Sequence, residues 1–223
     1  MLTLFTSGST DQPKLVTHSW DYINDCAKAS IKEIGLTSED RVLDVFPGNT
    51  VAHYTVTAYP ARLAGASLTC ANFSPYSYCE LFNQIKPTYI SLIPKHFELL
   101  SASKVFKELD MSSVKYMVTG SSQITQEFID AFLSKGVQKI GNWYGMTEFP
   151  PPVFVGYNSI SFDLETIDTK RFHVMFMPVS GIESKISMCY INGVATGDLF
   201  NMESKTFHSR IKDANGKTWK TAV

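Results

Sequence analysis

Apolar and polar positions follow two different rhythms along the chain, and the change between them divides it. Up to about Gly145, short apolar runs that suit strands lie at Leu2–Thr6, Val42–Phe46, Ser67–Ala71, Tyr89–Ile93, Tyr116–Thr119 and Lys139–Tyr144. Between them, apolar residues recur at helical spacing and predict helices near Asp21–Ile34, Thr50–Leu63, Tyr76–Gln84, Lys95–Leu100 and Gln126–Ser134. Strands separated by helices read as parallel strands with helical crossovers, so residues 1–149 are expected to form an α/β core. After Pro150-Pro151-Pro152 the helical period is lost. Short runs at Phe172–Met177, Ile186–Ile191 and Lys205–Arg210 are then separated by turn signals, of which Asn192-Gly193 is the strongest, because a two-residue hairpin turn requires positive φ at both positions. Residues 150–223 are therefore expected to form a small antiparallel β unit.

Composition narrows the classes of function. Of 223 residues, 44% are hydrophobic and 18% charged, which excludes a disordered or fibrous chain. Twenty basic against 21 acidic side chains leave a net charge of -1, without the basic excess of a nucleic-acid-binding domain. No apolar run is long enough to span a bilayer and Met1–Thr10 does not resemble a secretion signal, so no membrane partner and a cytoplasmic location are expected. The four cysteines form no Cys-x-x-Cys pair and no metal-ligand spacing with the five histidines, and are expected to be reduced, mostly buried thiols.

Three islands carry candidate chemistry. Leu4-Phe5-Thr6-Ser7-Gly8-Ser9-Thr10-Asp11-Gln12-Pro13-Lys14 is a strand followed by a hydroxyl-rich turn that ends in a lysine. Hydroxyls, free backbone N–H groups and one cation suit an oligophosphate, and Gly8 lets backbone approach it, although the segment alone fits a solvated Ser/Thr turn equally well. It lacks Walker-loop spacing. Asn142-Trp143-Tyr144-Gly145-Met146-Thr147-Glu148 falls at a strand's carboxyl end, where open parallel sheets bind ligands. An aromatic ring there can stack on a base and a carboxylate can hold a hard metal ion, but a core aromatic and a surface acid explain the same residues. Thr196-Gly197-Asp198 could present a carboxylate on a tight turn to the hydroxyls of a ribose.

Taken together and in this order, the islands resemble the adenylate-forming superfamily of acyl-CoA synthetases, nonribosomal peptide adenylation domains and luciferases. The family's phosphate loop falls on Thr6, Ser7, Gly8, Ser9, Thr10, Pro13 and Lys14, with Asp11 where the family has glycine. Its Tyr-Gly-x-Thr-Glu motif falls on Tyr144, Gly145, Met146, Thr147 and Glu148, next to Asn142. The resemblance implies adenine stacking by Tyr144, phosphate contact by Thr147 and Mg²⁺ ligation by Glu148. Asp198 is implied as the ribose ligand, Gly120-Ser121-Ser122 as the adenine-lining turn, and Arg210 as a ribose or phosphate contact, with Ser209 replacing a family glycine. Catalytic roles fall on Thr147, Glu148 and Lys14. His53 fits the family's acyl-gate histidine poorly and reads as a core or helix-face residue.

The implied reaction is attack of a small carboxylic acid on the α-phosphorus of Mg·ATP, giving an acyl-adenylate and pyrophosphate, with CoA as a possible later acceptor. Against the family pattern, the first subdomain and the C-terminal domain with its catalytic lysine are expected to be missing. Three functions follow: a reduced ligase that takes a lysine from a partner chain, from Lys212 or from Lys220; a nucleotide- or adenylate-binding protein without turnover; or an interaction scaffold. A homodimer would bury the sheet surface that the first subdomain covers in relatives. The Val51–Tyr59, Gly120–Gln123 and Phe149–Phe154 segments are expected to line an apolar or aryl acid pocket.

Overall fold

The computed structural model describes residues 1–6 and 14–211. A β-hairpin, β1 (Leu2–Phe5) and β2 (Leu15–His18), opens the chain, and α1 (Trp20–Ile34) follows it. Then come β3 (Arg41–Asp44), α2 (Val51–Thr55), α3 (Ala58–Ala64), β4 (Ser67–Cys70), α4 (Pro75–Ile85), β5 (Tyr89–Ser91), α5 (Pro94–Ser101) and α6 (Lys104–Lys107). The α/β part continues through β6 (Tyr116–Gly120), α7 (Gln126–Ser134), β7 (Ile140–Tyr144) and β8 (Phe154–Tyr157). A 3₁₀ turn at Leu164–Thr166 leads to β9 (Val174–Pro178), β10 (Ile186–Ile191), β11 (Val194–Asn201) and β12 (Thr206–Arg210).

The main sheet has the order β4-β3-β5-β6-β7-β8, parallel throughout except that β7 and β8 pair antiparallel. Its central strands β5, β6 and β7 are buried on both faces because each face carries helices. Leu43, Ile90 and Met117 point to α4, α5 and α7, where they meet Phe82, Leu100, Phe128 and Phe132. Val42, Tyr89, Tyr116 and Val118 point the other way, to Val56 and Ala61 of the α2–α3 region. Side-chain alternation thus divides the strands between two cores in an α/β/α sandwich. Local signals set the helix limits: Ser19 Oγ accepts the Tyr22 N–H to start α1, and Gly35 ends it at φ 73°.

The second sheet, β12-β11-β10-β9, is wholly antiparallel, and Asn192-Gly193 makes the expected turn with φ 52° and 79°. An aromatic cluster of Tyr144, Phe154, Phe162, Phe172 and Phe200 joins this sheet to β7 and β8. The change of texture at the proline run therefore falls inside the main sheet, whose last strand lies beyond it.

Three expectations are corrected. Leu2–Thr6 is an arm of an antiparallel hairpin rather than a parallel strand, because Leu15–His18 is close enough to pair with it through a short loop. The helix expected over Thr50–Leu63 is two, broken where Thr57 takes φ -120°, ψ -85°, just before Pro60. Asp198 lies inside strand β11 rather than on a tight turn. Tyr190 and Met188 pair with Ala195 and Leu199, so Thr196-Gly197-Asp198 faces Cys189 alone as a bulge, with Gly197 at φ 78°.

Candidate active site

A cleft of about 830 Å³ opens at the carboxyl ends of the parallel strands. Thr6, Lys14, Gly120, Ser121, Gly145, Met146, Thr147, Glu148 and Arg210 all line it, so residues from four separate stretches of sequence converge. Ser7, Gly8, Ser9 and Thr10, with Asp11 and Pro13, lie outside the described residues, as do Lys212 and Lys220. What the structure does give of the first island is its stem. The Thr6 N–H donates to Lys14 O at 2.8 Å, and the Lys14 N–H donates to Thr6 Oγ1 at 3.2 Å, so Thr6 and Lys14 clamp the two ends of the loop together.

The second island is a tight reversal after β7. Met146 and Phe149 exchange backbone hydrogen bonds at 2.9 and 3.1 Å, which leaves Thr147 and Glu148 at the tip. Gly145 is required by close approach: a Cβ there would lie 2.7 Å from the backbone nitrogen of Pro151. The turn is tied to the hairpin by His18, whose Nε2 lies 2.7 Å from the carbonyl oxygen of Thr147. The sequence reading passed over His18. Its position on the second arm of the hairpin was the available signal, and it was hidden because that arm was not recognised.

The third island reaches the cleft wall with Thr196, while Asp198 sits behind it. Tyr144 donates its hydroxyl to Asp198 Oδ2 at 2.7 Å, and Arg210 grips the same carboxylate with Nε at 2.5 Å and Nη2 at 2.9 Å. Thr196 Oγ1 accepts the Asp198 N–H at 3.1 Å and donates to Cys189 O at 2.8 Å. Asp198 is only 1% exposed and Tyr144 7%, the Tyr144 ring being stacked on Phe154 with centroids 4.6 Å apart. Neither lines the cleft. Burial first, then the neighbouring carboxylate, pushes the Tyr144 phenol far above its ordinary range, so it remains a donor. The hydrogen bond to Asp198 holds the Arg210 guanidinium above its own ordinary value. With Nε and Nη2 engaged, Nη1 is the end of Arg210 left for the cleft.

Asn142 is buried beneath the second island and donates to Ile160 O at 3.4 Å, and Ser122 is exposed outside the cleft. In the adenine-turn candidate, a Cβ on Gly120 would collide with Trp143 O, while Ser121 occupies left-handed backbone at φ 72°. The far wall consists of Phe46, Val51, Ala52, Val56, Ser91, Ile93, His96 and Val118, with Phe149 and Pro151 beside them. Of these, Phe46, Ser91, Ile93, His96 and Val118 were missed, since only the sheet order brings the ends of β3 and β5 beside those of β6 and β7. His53 lies off the cleft and its Nδ1 is 2.7 Å from buried Asp44, which also accepts the Thr57 hydroxyl at 2.8 Å. Among the described residues no cluster of three or more His, Cys, Asp or Glu could hold a metal ion, and no helix is long and apolar enough to cross a membrane.

Comparison with known proteins places the chain in a family. Residues 1–189 match the AMP-binding enzyme family model, and the chain belongs to that family. It is 26% identical over 160 residues to feruloyl-CoA synthase of Amycolatopsis sp, covering 69% of this chain and 31% of that protein. It is also 28% identical over 157 residues to indoleacetate–CoA ligase of Aromatoleum aromaticum, covering 68% and 30%. The fold matches o-succinylbenzoate coenzyme A synthetase from Bacillus subtilis, solved with ATP and magnesium ion, with a TM-score of 0.74 and 18% identity. That match covers 97% of this chain and 52% of the solved one. The chain thus spans about a third of these curated relatives and about half of the solved structure.

Proposed function

We propose that the cleft binds Mg·ATP and a small, largely apolar carboxylic acid and supports transfer of AMP to the acid, as the first half of an acid–CoA ligase reaction. The observation that carries this reading is the convergence of the Thr6–Lys14 stem, the Thr147–Glu148 turn and Arg210 on one side of a cleft whose other side is apolar. The charged side suits a triphosphate and the apolar side suits the carbon skeleton of an acid.

Lys14 neutralises charge on the β- and γ-phosphates beside the hydroxyls of the loop that it closes. Thr147 donates its hydroxyl to the α-phosphate, and the His18 contact to its backbone fixes the turn for this purpose. Arg210, anchored by Asp198, points Nη1 at ribose or phosphate. Asp198 then acts on the nucleotide through Arg210, since its oxygens are occupied by Tyr144 and Arg210. Tyr144 supports the same anchor from behind. Glu148 suits Mg²⁺ as a single hard oxygen ligand, which is how that ion is held when phosphates and water complete its shell. The ion would supply charge neutralisation on the reacting phosphoryl group. Most of the acceleration then comes from positioning and preorganised charge. CoA as the later thiol acceptor, and a second chain that completes the site, belong to the same proposal.

Calorimetric titration of the chain with AMP, Mg·ATP and a non-hydrolysable acyl-adenylate mimic tests the reading. Micromolar binding, about -8 kcal/mol, is expected for the mimic. Acid-dependent exchange of pyrophosphate into ATP then tests for chemistry. A folded chain that gives no heat with any of the three ligands would overturn the proposal.

A further inference from the structure

The apolar side of the cleft carries a polar ring that the adenylation chemistry does not use. His96 stands in the first turn of α5, lines the cleft, and is stacked on Phe73 with centroids 4.1 Å apart and planes 18° from parallel. Phe46 lies 6.1 Å away. The Ile93 N–H donates to Nδ1 at 3.4 Å, completing the start of the helix. A ring nitrogen that accepts a backbone N–H carries no proton itself, so the imidazole is the neutral tautomer with hydrogen on Nε2. Burial favours the same state, since it moves the group from 6.5 down to about 4. Among the described residues the one hydrogen bond of the half-buried ring is that to Nδ1, and Nε2 makes none. The cleft therefore possesses an oriented, uncharged donor for which the described residues supply no partner.

Sheet order places this donor relative to the reacting end. His96 follows β5, and β7, which leads into the Thr147–Glu148 turn, lies two strands away, or roughly 10 Å at the usual spacing of neighbouring strands. Ser91, Ile93 and Val118 stand nearby, and the Ser91 hydroxyl is already donated to Val118 O at 3.1 Å. The charged residues that line the cleft, Lys14, Glu148 and Arg210, belong to the hairpin, the β7 turn and β12. A second carboxylate or an ammonium group on the acid would meet no counter-charge from the β3–β5 wall.

We propose that His96 reads the end of the acid remote from its carboxylate, donating Nε2–H to an uncharged oxygen such as a ring hydroxyl, ether or carbonyl. The inference rests on the adenylation reading and deepens it: the preferred substrates are apolar acids with a neutral oxygen acceptor at the far end. Phe73 holds the ring in place and Ile93 sets its tautomer, so neither needs to touch the substrate.

The test compares two acyl-sulfamoyl-adenosine mimics, of 3-phenylpropenoic acid and of its 4-hydroxy counterpart, by calorimetry on the full chain, with AMP as control. The wild-type chain is expected to favour the hydroxylated mimic by about five- to tenfold, the range of one net hydrogen bond. His96→Phe, which keeps the stacking but lacks the donor, should bring the ratio to about one, and His96→Gln should restore part of it. AMP affinity should be the same in all three proteins. Should the phenylalanine variant fail to fold, the glutamine variant together with His96→Leu carries the comparison. The same ratio in the wild-type and donor-less chains, or no preference in the wild type, overturns this inference alone. Failure of AMP and both mimics to bind the wild type overturns the adenylation reading and this inference with it.

Discussion

Two acidic residues frame the same wall of the cleft and are held in opposite ways. Asp198 is buried, and its carboxylate is shared by Tyr144 and both forks of Arg210. Glu148 stands at the tip of a reversal, partly open to the cleft, with no hydrogen bond of its own among the described residues. The first is bound into the fold and the second is left available, although both belong to motifs with equal claims in the sequence. A motif residue whose valences are filled by its own chain acts through its neighbours; one whose valences are empty is the residue for a ligand to use.

The largest expected effect follows from that contrast. Asp198→Ala removes the acceptor for a buried phenol and a guanidinium together, and should destabilise the chain by about 3 kcal/mol. This is the lower end of the usual range because Arg210 is itself part exposed. Glu148→Gln should change stability by no more than about 0.5 kcal/mol, as surface substitutions do. Urea midpoints read both. In binding the order should reverse for the metal-dependent part: Glu148→Gln weakens Mg·ATP more than AMP, whereas Asp198→Ala weakens both alike through the loss of a fixed Arg210. Equal stability losses in the two variants would break the comparison.

Next in size is the pH response of the opposite wall. Because burial lowers His96 from 6.5 to about 4, the unfolded chain binds a proton between these values that the folded chain does not. Stability from this group is therefore fully present above about pH 6.5, declines as pH falls through the window, and is lost below about 4. Replacing His96 by Phe removes that contribution to the slope. Urea midpoints should fall less steeply between pH 7 and 4 for the variant than for the wild type, and parallel curves would show that the ring titrates as in the unfolded chain.

Much of this contrast was legible in the sequence, but unevenly. Helical and strand periods gave nearly every element of the main sheet, because two covered faces demand apolar strands and half-covered helices, and Asn192-Gly193 gave its turn from local backbone chemistry alone. Among the elements that escaped were β2, half-buried at most along its length, β8, which follows three prolines, the one-turn helix α6, and β11, whose span was read only as a turn and a motif. Thr147, Glu148, Asp198 and Arg210 were named as candidates from the sequence. Their states were not, since the pairing of Asp198 with Arg210 depends on the register between β11 and β12 and on the bulge opposite Cys189. His96 was invisible for the same reason: its meaning arises from the strand order, which places the end of β5 across the cleft from that of β7.

The smallest effect is also the most discriminating for the adenine-turn candidate. Ser121 takes φ 72° with a side chain, in a conformation that glycine adopts at no steric cost. Ser121→Gly relieves that strain but loosens the unfolded chain, so a net stabilisation of about 0.5 to 1 kcal/mol is expected. The residue lines the cleft beside Gly120. If the serine is retained for the ligand, Ser121→Gly should raise the urea midpoint while weakening AMP binding, the usual sign of strain kept for function. If it raises the midpoint and leaves AMP affinity unchanged, the turn serves the adenine through its backbone alone, and the distinction between filled and available side chains stops at Glu148.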